Sequence, residues 1–82
     1  MTWTVYILQC FDGTLYTGST KNLSNRLKKH NAGKGAKYTK GRLPVEVRYA
    51  KAYPDRSAAQ RSEAAIKKLS RLEKLVMISR NC

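Results

Sequence analysis

Two tyrosines, an arginine and a histidine are the residues of this chain whose types and spacing could act together on a phosphate ester. Tyr6 and Tyr16 lie ten residues apart across an Asp-Gly turn, and Arg26 and His30 follow one helical turn apart. A guanidinium fork matches phosphate oxygens and stabilises the charge that builds up during phosphoryl transfer. A tyrosine has an unperturbed pKa of about 10, so a role as base requires nearby cations or a histidine to lower that pKa.

Glu63 joins this set by elimination among the five acidic residues. The other four are explained by a turn, a loop, a strand and a capping box, respectively Asp12, Asp55, Glu46 and Glu73. Only Glu63 lies within an apolar helical stripe. It either forms a structural ion pair with Arg26 or serves as the single carboxylate that holds Mg²⁺ (or Mn²⁺), whose other ligands are waters and phosphate oxygens. The sequence leaves both alternatives open.

Each of the other residues also has an ordinary structural explanation. Arg26 could pair with a carboxylate, His30 could be a hydrogen-bonded core histidine, and the two tyrosines are common strand residues. The spacing favours the functional interpretation, because Arg26 and His30 share a face with leucines and follow directly on the two tyrosines. An arginine that faces inward without a partner is costly, so its position needs a reason.

The tyrosines can share a site only if a hairpin places them on one face. Residues 3–10 are rich in aromatic and β-branched types and indicate a strand, and residues 14–19 indicate the returning strand. A two-residue Asp12-Gly13 turn would put Tyr6 and Tyr16 on opposite faces. A three-residue loop, with Gly13 in the left-handed conformation, would set Tyr16 opposite Leu8 and both tyrosines on one face. A shared site requires the second arrangement.

The next segment must carry Arg26 and His30 to that face. Asn22 is a plausible N-cap for a helix that runs to about Asn31 and is closed by Gly33. The i, i+3, i+4, i+7 pattern predicts one stripe directed at the sheet, formed by Leu23, Arg26, Leu27 and His30.

The remaining elements supply the scaffold. A third strand is predicted over 45–53, with Val45, Val47 and Tyr49 alternating on one face. Two capping-box signatures predict a helix over 57–69, starting at Ser57, and a last helix from Ser70. We expect four apolar residues of that last helix to close the core: Leu72, Leu75, Val76 and Ile78. The prediction is a single domain over residues 1–82 of the α+β class, a three-stranded antiparallel sheet flanked by helices in the order β-β-α-β-α-α.

Positive charge dominates this small domain. Seventeen Lys+Arg against five Asp+Glu give a formal net charge of +12 over 82 residues. The usual compensating partner of such a charge is a polyanion, and nucleic acid comes first. The cations that we expect to contact phosphates, partly in a basic glycine-rich loop over 32–42, are Lys21, Lys28, Lys29, Lys34, Lys37, Lys40 and Arg42.

Other features bound the location and partners. No apolar run approaches the roughly 20 residues needed to span a membrane. The N-terminus lacks the pattern of a secretory signal, and Cys10 and Cys82 have no metal-type spacing. We therefore expect reduced thiols, a cytoplasmic location, no membrane contact and no obligate protein partner.

Taken together, these residues resemble the GIY-YIG nuclease superfamily, in its small stand-alone single-domain bacterial branch. The first triplet of the family is similar to Thr4-Val5-Tyr6 and the second to Tyr16-Thr17-Gly18. The helical Arg-x-x-x-His of the family matches Arg26 and His30, and its distal metal-binding glutamate matches Glu63. The resemblance spans almost the whole chain and implies a three-stranded antiparallel sheet flanked by helices.

The resemblance implies hydrolysis of a DNA phosphodiester with one divalent cation. In that scheme Tyr6, tuned by His30, deprotonates the attacking water, Arg26 stabilises the pentacovalent phosphate, and Glu63 holds the Mg²⁺. Some family members are assigned the equivalent of Tyr16 as base, so the choice between the two tyrosines stays open. The expected substrate is DNA in a single-stranded or branched form.

Two departures from the family pattern favour a weaker activity. The excision-repair branch has a lysine directly after the second triplet, where this chain has Ser19, and larger members have an asparagine where this chain has Leu75. The competing hypothesis is a non-catalytic nucleic-acid-binding module that retains the nuclease fold. A third is a basic protein associated with a membrane surface or the ribosome.

Overall fold

The computed structural model describes residues 2–34 and 44–80, which form one antiparallel sheet and three helices. The elements are β1 (Trp3–Cys10), β2 (Leu15–Thr20), α1 (Leu23–Asn31), β3 (Val45–Tyr53), α2 (Arg56–Lys67) and α3 (Arg71–Arg80). The strands lie in the order β2-β1-β3, so β1 is central and β2 is an edge strand. The predicted α+β class and the order β-β-α-β-α-α are confirmed.

The first hairpin closes with the three-residue loop that a shared site requires. Gly13 has a φ of 86°, and the Cys10 N–H donates to the Thr14 carbonyl oxygen at 2.8 Å. The Asp12 carboxylate accepts hydrogen bonds from the Thr14 N–H and hydroxyl and fixes the loop. Leu8 therefore pairs with Tyr16, and Tyr6 pairs with Gly18. Both tyrosines lie on one face, as predicted.

The sheet buries a separate apolar cluster on each face, because the side chains of β1 alternate. Tyr6, Leu8 and Cys10 pack with residues of α1, and we call this side the α1 face. The other side, the α2 face, has a cluster formed by Val5, Ile7, Tyr49, Ala59 and Ile66, against which Met77 and Ile78 of α3 pack. Helix α1 thus covers one face of the sheet and helices α2 and α3 cover the other, with β2 at one edge between them.

A β-bulge corrects the predicted alternation of β3. Ile7 pairs with Tyr49 but Leu8 pairs with Val47, so the register shifts between these positions. A bulge places two residues of one strand opposite one residue of its partner. The side chains of the bulged strand therefore point to opposite faces of the sheet from those that regular alternation would give. Val45 and Val47 therefore lie on the α1 face, whereas Tyr49 joins the α2 face. The prediction that all three share one face is wrong.

Helix α2 begins earlier than the capping-box signature predicted. The N-cap is Asp55, whose carboxylate accepts the Ala58 N–H at 2.8 Å, so Ser57 lies inside the helix. Asp55 is therefore a capping residue and not a loop residue as predicted, and the helix ends at Lys67. The second capping box is confirmed, since Ser70 and Glu73 exchange side-chain hydrogen bonds with each other's backbone N–H.

Helix α3 covers the core less completely than its apolar residues predicted. Leu72 is 71% exposed and Val76 is 46% exposed, while Met77 and Ile78 pack against the α2-face cluster. The expectation that Leu72 and Val76 close the core is wrong. Within residues 2–34 and 44–80, no helix has the length and apolarity needed to cross a membrane.

Gly18 leaves the space into which the Tyr6 ring extends over β2. A Cβ built on Gly18 would lie 2.6 Å from the Tyr6 hydroxyl oxygen and 2.8 Å from Cζ. Neither distance is tolerable between non-bonded atoms, so any side chain at position 18 must displace the ring. The position of the Tyr6 ring, in the first triplet, thus requires a glycine at position 18, in the second.

Substitution of Gly18 by alanine should therefore destabilise the fold through Tyr6. We expect Gly18→Ala to lower the free energy of unfolding by about 1–3 kcal/mol, the usual range for overpacking, as measured by urea denaturation. In a Tyr6→Leu background the same substitution should be neutral or stabilising, because the atoms that clash are gone. An equal loss in both backgrounds would contradict this account.

Candidate active site

The two tyrosines meet at one buried histidine on the α1 face. The Tyr6 hydroxyl lies 3.5 Å from His30 Nε2, and the two rings meet edge-on with centroids 6.3 Å apart. The Tyr16 ring is tilted against the same imidazole with centroids 5.5 Å apart. His30 and Tyr6 are 0% and 1% exposed. The structure therefore brings together three of the residues that the sequence analysis selected.

Helix α1 carries His30 to this position in the predicted way. The Asn22 side chain caps the helix by accepting the Asn25 N–H at 3.0 Å, and Gly33, with a φ of 78°, follows the C-terminal end. Leu23 and Leu27 pack beside Tyr6 in the α1-face cluster. The stripe predicted from the sequence is confirmed.

Burial shifts the pKa of Tyr6 and His30 in opposite directions. It lowers the pKa of His30, and the Arg26 guanidinium lowers that pKa further, so the imidazole is neutral at pH 7. Burial also raises the pKa of Tyr6, helped by Tyr16 and Glu63 and opposed by the hydrogen bond and charge of Arg26. Arg26 thus lowers the pKa of Tyr6, as a role as base requires, but burial outweighs this effect and the net shift is upward.

Arg26 brings a guanidinium to the Tyr6 hydroxyl. Its Nε atom is buried and has no hydrogen-bond partner among the described residues. The guanidinium is close enough to Tyr6 to hydrogen-bond it and shift its pKa. A desolvated donor of this kind carries a free-energy penalty that an incoming anion would relieve.

Glu63 is held by two groups, neither of which is Arg26. The Ser19 hydroxyl donates to Glu63 Oε1 at 2.6 Å, and Lys67 Nζ lies 2.7 Å from Oε2. Burial by itself raises the pKa of Glu63, but the hydrogen bonds from Lys67 and Ser19 outweigh it, so the pKa is lowered and the carboxylate is ionised at pH 7. The proposed structural ion pair with Arg26 is replaced by one with Lys67.

Glu63 reaches the tyrosines around the edge of the sheet. Ser19 pairs with Val5 and so points to the α2 face, where helix α2 carries Glu63. On the opposite face the Tyr6 ring extends over Gly18, the neighbouring residue of the same edge strand. The charge of Glu63 is near enough to raise the pKa of Tyr6. The site therefore straddles β2.

Lys67 and Ser19 are the site residues that sequence reasoning missed. The hydrogen bond that Lys67 donates to Glu63 raises the pKa of Lys67 in spite of partial burial, and the two tyrosines contribute to the same increase. A glutamate four residues before a lysine is a known helical ion-pair spacing and was the available signal. The Ser19 contact had no comparable signal, because it depends on how α2 packs on the edge strand.

The donor set at Glu63 fits a divalent ion only in part. Within residues 2–34 and 44–80, no group of three or more His, Cys, Asp and Glu side chains could hold a metal. Mg²⁺ often binds through one carboxylate while waters and substrate phosphates complete its octahedron. Glu63 fits that arrangement, with Lys67 as a cation that competes for the same carboxylate.

The basic residues selected for phosphate contacts are exposed wherever the structure describes them. These are Lys21, Lys28, Lys29 and Lys34. Lys28 and Lys29 belong to the last turn of α1, directly before His30. The other three selected cations, and the second cysteine, lie outside the described residues: Lys37, Lys40, Arg42 and Cys82.

Comparisons with known proteins converge on one family. A family model described as the GIY-YIG catalytic domain matches residues 2–75. The chain is 55% identical over 74 residues to the UPF0213 protein OB0043 of Oceanobacillus iheyensis, covering 90% of this chain and 86% of that protein. It is 53% identical over 74 residues to a UPF0213 protein of Streptococcus sanguinis, covering 90% and 85%.

Solved structures agree with these sequence matches. The solution structure of the UPF0213 protein BH0048 from Bacillus halodurans is 47% identical and superposes with a TM-score of 0.63, over 96% of this chain and 84% of that one. The solution structure of EF2693 from E. faecalis is 39% identical with a TM-score of 0.68, over 98% and 85%.

The buried neutral histidine predicts a specific acid sensitivity of the fold. Because the pKa of His30 is lowered on folding, the unfolded chain binds more protons below about pH 6.5, and stability falls as the pH falls through that region. One such group changes the free energy of unfolding by at most about 1.4 kcal/mol per pH unit. Urea denaturation at pH 5, 6 and 7 should show this dependence.

His30→Gln should lose most of that dependence between pH 5 and 7, because His30 is the only histidine of the chain. The Glu63 carboxylate, whose pKa is lowered, contributes only at more acidic pH and serves as an internal reference. An unchanged pH dependence in His30→Gln would show that His30 does not become charged on unfolding.

Proposed function

Since the chain belongs to the GIY-YIG catalytic domain family, we propose that it is a nuclease that hydrolyses phosphodiester bonds of DNA. One observation carries the proposal: the Tyr6 hydroxyl, with Arg26 and Glu63 close enough to shift its pKa, contacts a neutral His30. A base, an anion-binding donor and a carboxylate therefore converge at one edge of the sheet.

Tyr6 and His30 together act as the general base in this proposal. The oxygen of Tyr6 takes a proton from the attacking water while the Tyr6 proton passes to Nε2 of His30 across the 3.5 Å contact. Because Tyr6 loses its own proton as it gains the proton of the water, no free tyrosinate has to accumulate. The raised pKa of Tyr6 is therefore compatible with its role as base. The neutral form of His30, favoured by burial, is the form that can accept that proton.

Arg26 supplies the electrostatic stabilisation. A phosphate beside the guanidinium would supply the anion that Arg26 lacks within the described structure. The charge on the phosphate grows as the water attacks, so the guanidinium binds the pentacovalent arrangement more strongly than the ground state. The same cation also favours transient negative charge on Tyr6.

Glu63 is the residue that would hold a divalent ion. Nucleases of this family generally depend on such an ion, which when bound neutralises charge on the leaving oxygen. Ser19 orients the carboxylate through Oε1, and Lys67 must yield part of its contact with Oε2. Mg²⁺ or Mn²⁺ fits a site with a single carboxylate.

The alternative is a nucleic-acid-binding module without catalysis. Two observations favour it: burial raises the pKa of the candidate base Tyr6, and Lys67 already neutralises the Glu63 carboxylate. The basic surface would then bind DNA without cutting it. Such binding should weaken steeply with salt, because each neutralised phosphate releases counterions.

A cleavage assay with matched variants tests the proposal. Purified protein should nick single-stranded, duplex or branched DNA in Mg²⁺ or Mn²⁺ and not in chelator. Three substitutions should each reduce the rate by about 10²-fold or more, because each removes one function of the site: Tyr6→Phe, Arg26→Gln and Glu63→Gln.

The chain offers a control for each of these substitutions. Tyr49→Phe removes a hydroxyl from the opposite face, Arg48→Gln removes an exposed arginine on β3, and Glu46→Gln removes an exposed carboxylate on the same strand. All three should cleave like the parent chain. Binding of DNA without cleavage under either metal would establish the alternative, and cleavage that survives all three site substitutions would refute the assigned site.

The competition between Lys67 and a metal ion can be measured without activity. Lys67→Met removes the charge at nearly constant length, so Mn²⁺ should bind Glu63 several-fold more tightly, as measured by the electron paramagnetic resonance signal of free Mn²⁺. Lys68→Met is the matched control, because Lys68 is exposed and the described structure pairs only Lys67 with Glu63. Equal affinity of the two variants for Mn²⁺ would show that Lys67 does not compete with the metal ion for the Glu63 carboxylate.

A further inference from the structure

Two aromatic rings lie side by side at the end of the sheet nearest Glu63, and cations lie over both. Trp3 pairs with Tyr53 across β1 and β3. Lys21 Nζ is 5.5 Å from the centroid of the Trp3 ring, and the Arg56 guanidinium carbon is 5.7 Å from it. Lys51 Nζ lies 5.7 Å from the Tyr53 ring centroid. We call the two rings the aromatic platform.

The covering cations are exposed and come from three different parts of the chain. Lys21 follows β2, Lys51 lies in β3 and Arg56 begins α2. The two rings are half-buried and pack against the α2-face cluster, and the Tyr53 hydroxyl contacts the Ser62 hydroxyl at 2.7 Å. A cation–π contact at the protein surface gains only about 0.5–1 kcal/mol, so each exposed cation can leave its ring at little cost. The platform is therefore a half-buried aromatic surface over which exposed cations lie in the free protein, and the same cations can contact phosphates.

The aromatic platform lies at nucleotide distance from the candidate active site. Trp3 is two residues before Val5, the partner of Ser19, which corresponds to about 6.6 Å along β1. Arg56 and Glu63 are seven residues apart on α2, which puts them on nearly the same side of the helix and about 10.5 Å apart along its axis. One or two nucleotides of an extended strand would bridge this separation.

We propose that the aromatic platform binds an unpaired nucleobase of single-stranded DNA, by stacking on Trp3 while Lys21 and Arg56 take the flanking phosphates. Stacking on aromatic side chains between basic residues is the general means of binding single strands without sequence preference. A base inside a duplex has no free face for this contact. The inference rests on the proposed nuclease function, whose substrate class it specifies as unpaired DNA.

The single tryptophan of the chain makes this contact directly observable. Oligo-deoxythymidine and the same oligomer with 5-bromodeoxyuridine should both bind in low salt with chelator present, so that no cleavage intervenes. Bromine quenches an indole only at contact. We expect the brominated strand to quench Trp3 fluorescence at least twofold more than the thymidine strand. Bromodeoxyuridine paired inside a closed hairpin should give no such excess.

Affinity provides the second measurement. Trp3→Leu should bind a labelled thymidine oligomer about tenfold more weakly, as measured by fluorescence anisotropy. The loss of one base–aromatic stacking contact weakens binding by about that much. Phe11→Leu is the matched control, because Phe11 follows the opposite end of β1 and its ring is 70% exposed. Circular dichroism of both variants checks that they fold.

The outcomes separate this inference from the proposed function. Equal quenching by the two oligomers, or bromine-dependent quenching by the paired hairpin as strong as by the single strand, would overturn the platform even if the protein cleaves DNA. Bromine-dependent quenching confined to the single strand would support it even if no cleavage is found. The fluorescence measurement uses the unaltered chain, so it remains decisive should Trp3→Leu fail to fold.

Discussion

The close approach of the Tyr6 ring to the backbone of Gly18 is the constraint on which the site depends. A side chain at position 18 would meet the Tyr6 hydroxyl, so the ring can extend over the edge strand only because a glycine pairs with it. That approach directs the hydroxyl toward His30 on one side and brings it within electrostatic range of Glu63 on the other. The two triplets are thus one structural unit, joined by the register of the hairpin.

The same burial that fixes this geometry sets the protonation states. Removing Tyr6 and His30 from water penalises their charged forms, so the pKa of the phenol rises and that of the imidazole falls. Both groups are neutral in the free protein, and the Arg26 guanidinium acts on the pKa of each. In the proposed mechanism this pair of neutral groups in contact moves a proton with little rearrangement of the protein.

Turn chemistry and helical periodicity, which depend on residues close in sequence, correctly predicted the first hairpin and the inward stripe of α1. Gly13 in a three-residue loop fixed the hairpin register, and the helical period placed His30 beneath the sheet. The bulge that moves Tyr49 to the other face could not be predicted, because it depends on how β3 pairs with β1, which is distant in sequence. The Asp55 cap was missed because two capping sequences overlap, and exposure of Leu72 depends on which side of α3 meets the core.

The charge balance of the site explains why its carboxylate pairs as it does. Arg26 is carried by α1 on one face of the sheet and Glu63 by α2 on the other, whereas Lys67 is on the same helix as Glu63 at the i, i+4 spacing. Glu63 therefore satisfies Lys67 and leaves Arg26 without a carboxylate in the described structure. The excess positive charge is thereby concentrated on the guanidinium beside Tyr6, which is where the proposed reaction develops negative charge. In the proposed function, a substrate phosphate supplies the anion that Arg26 lacks within the described structure.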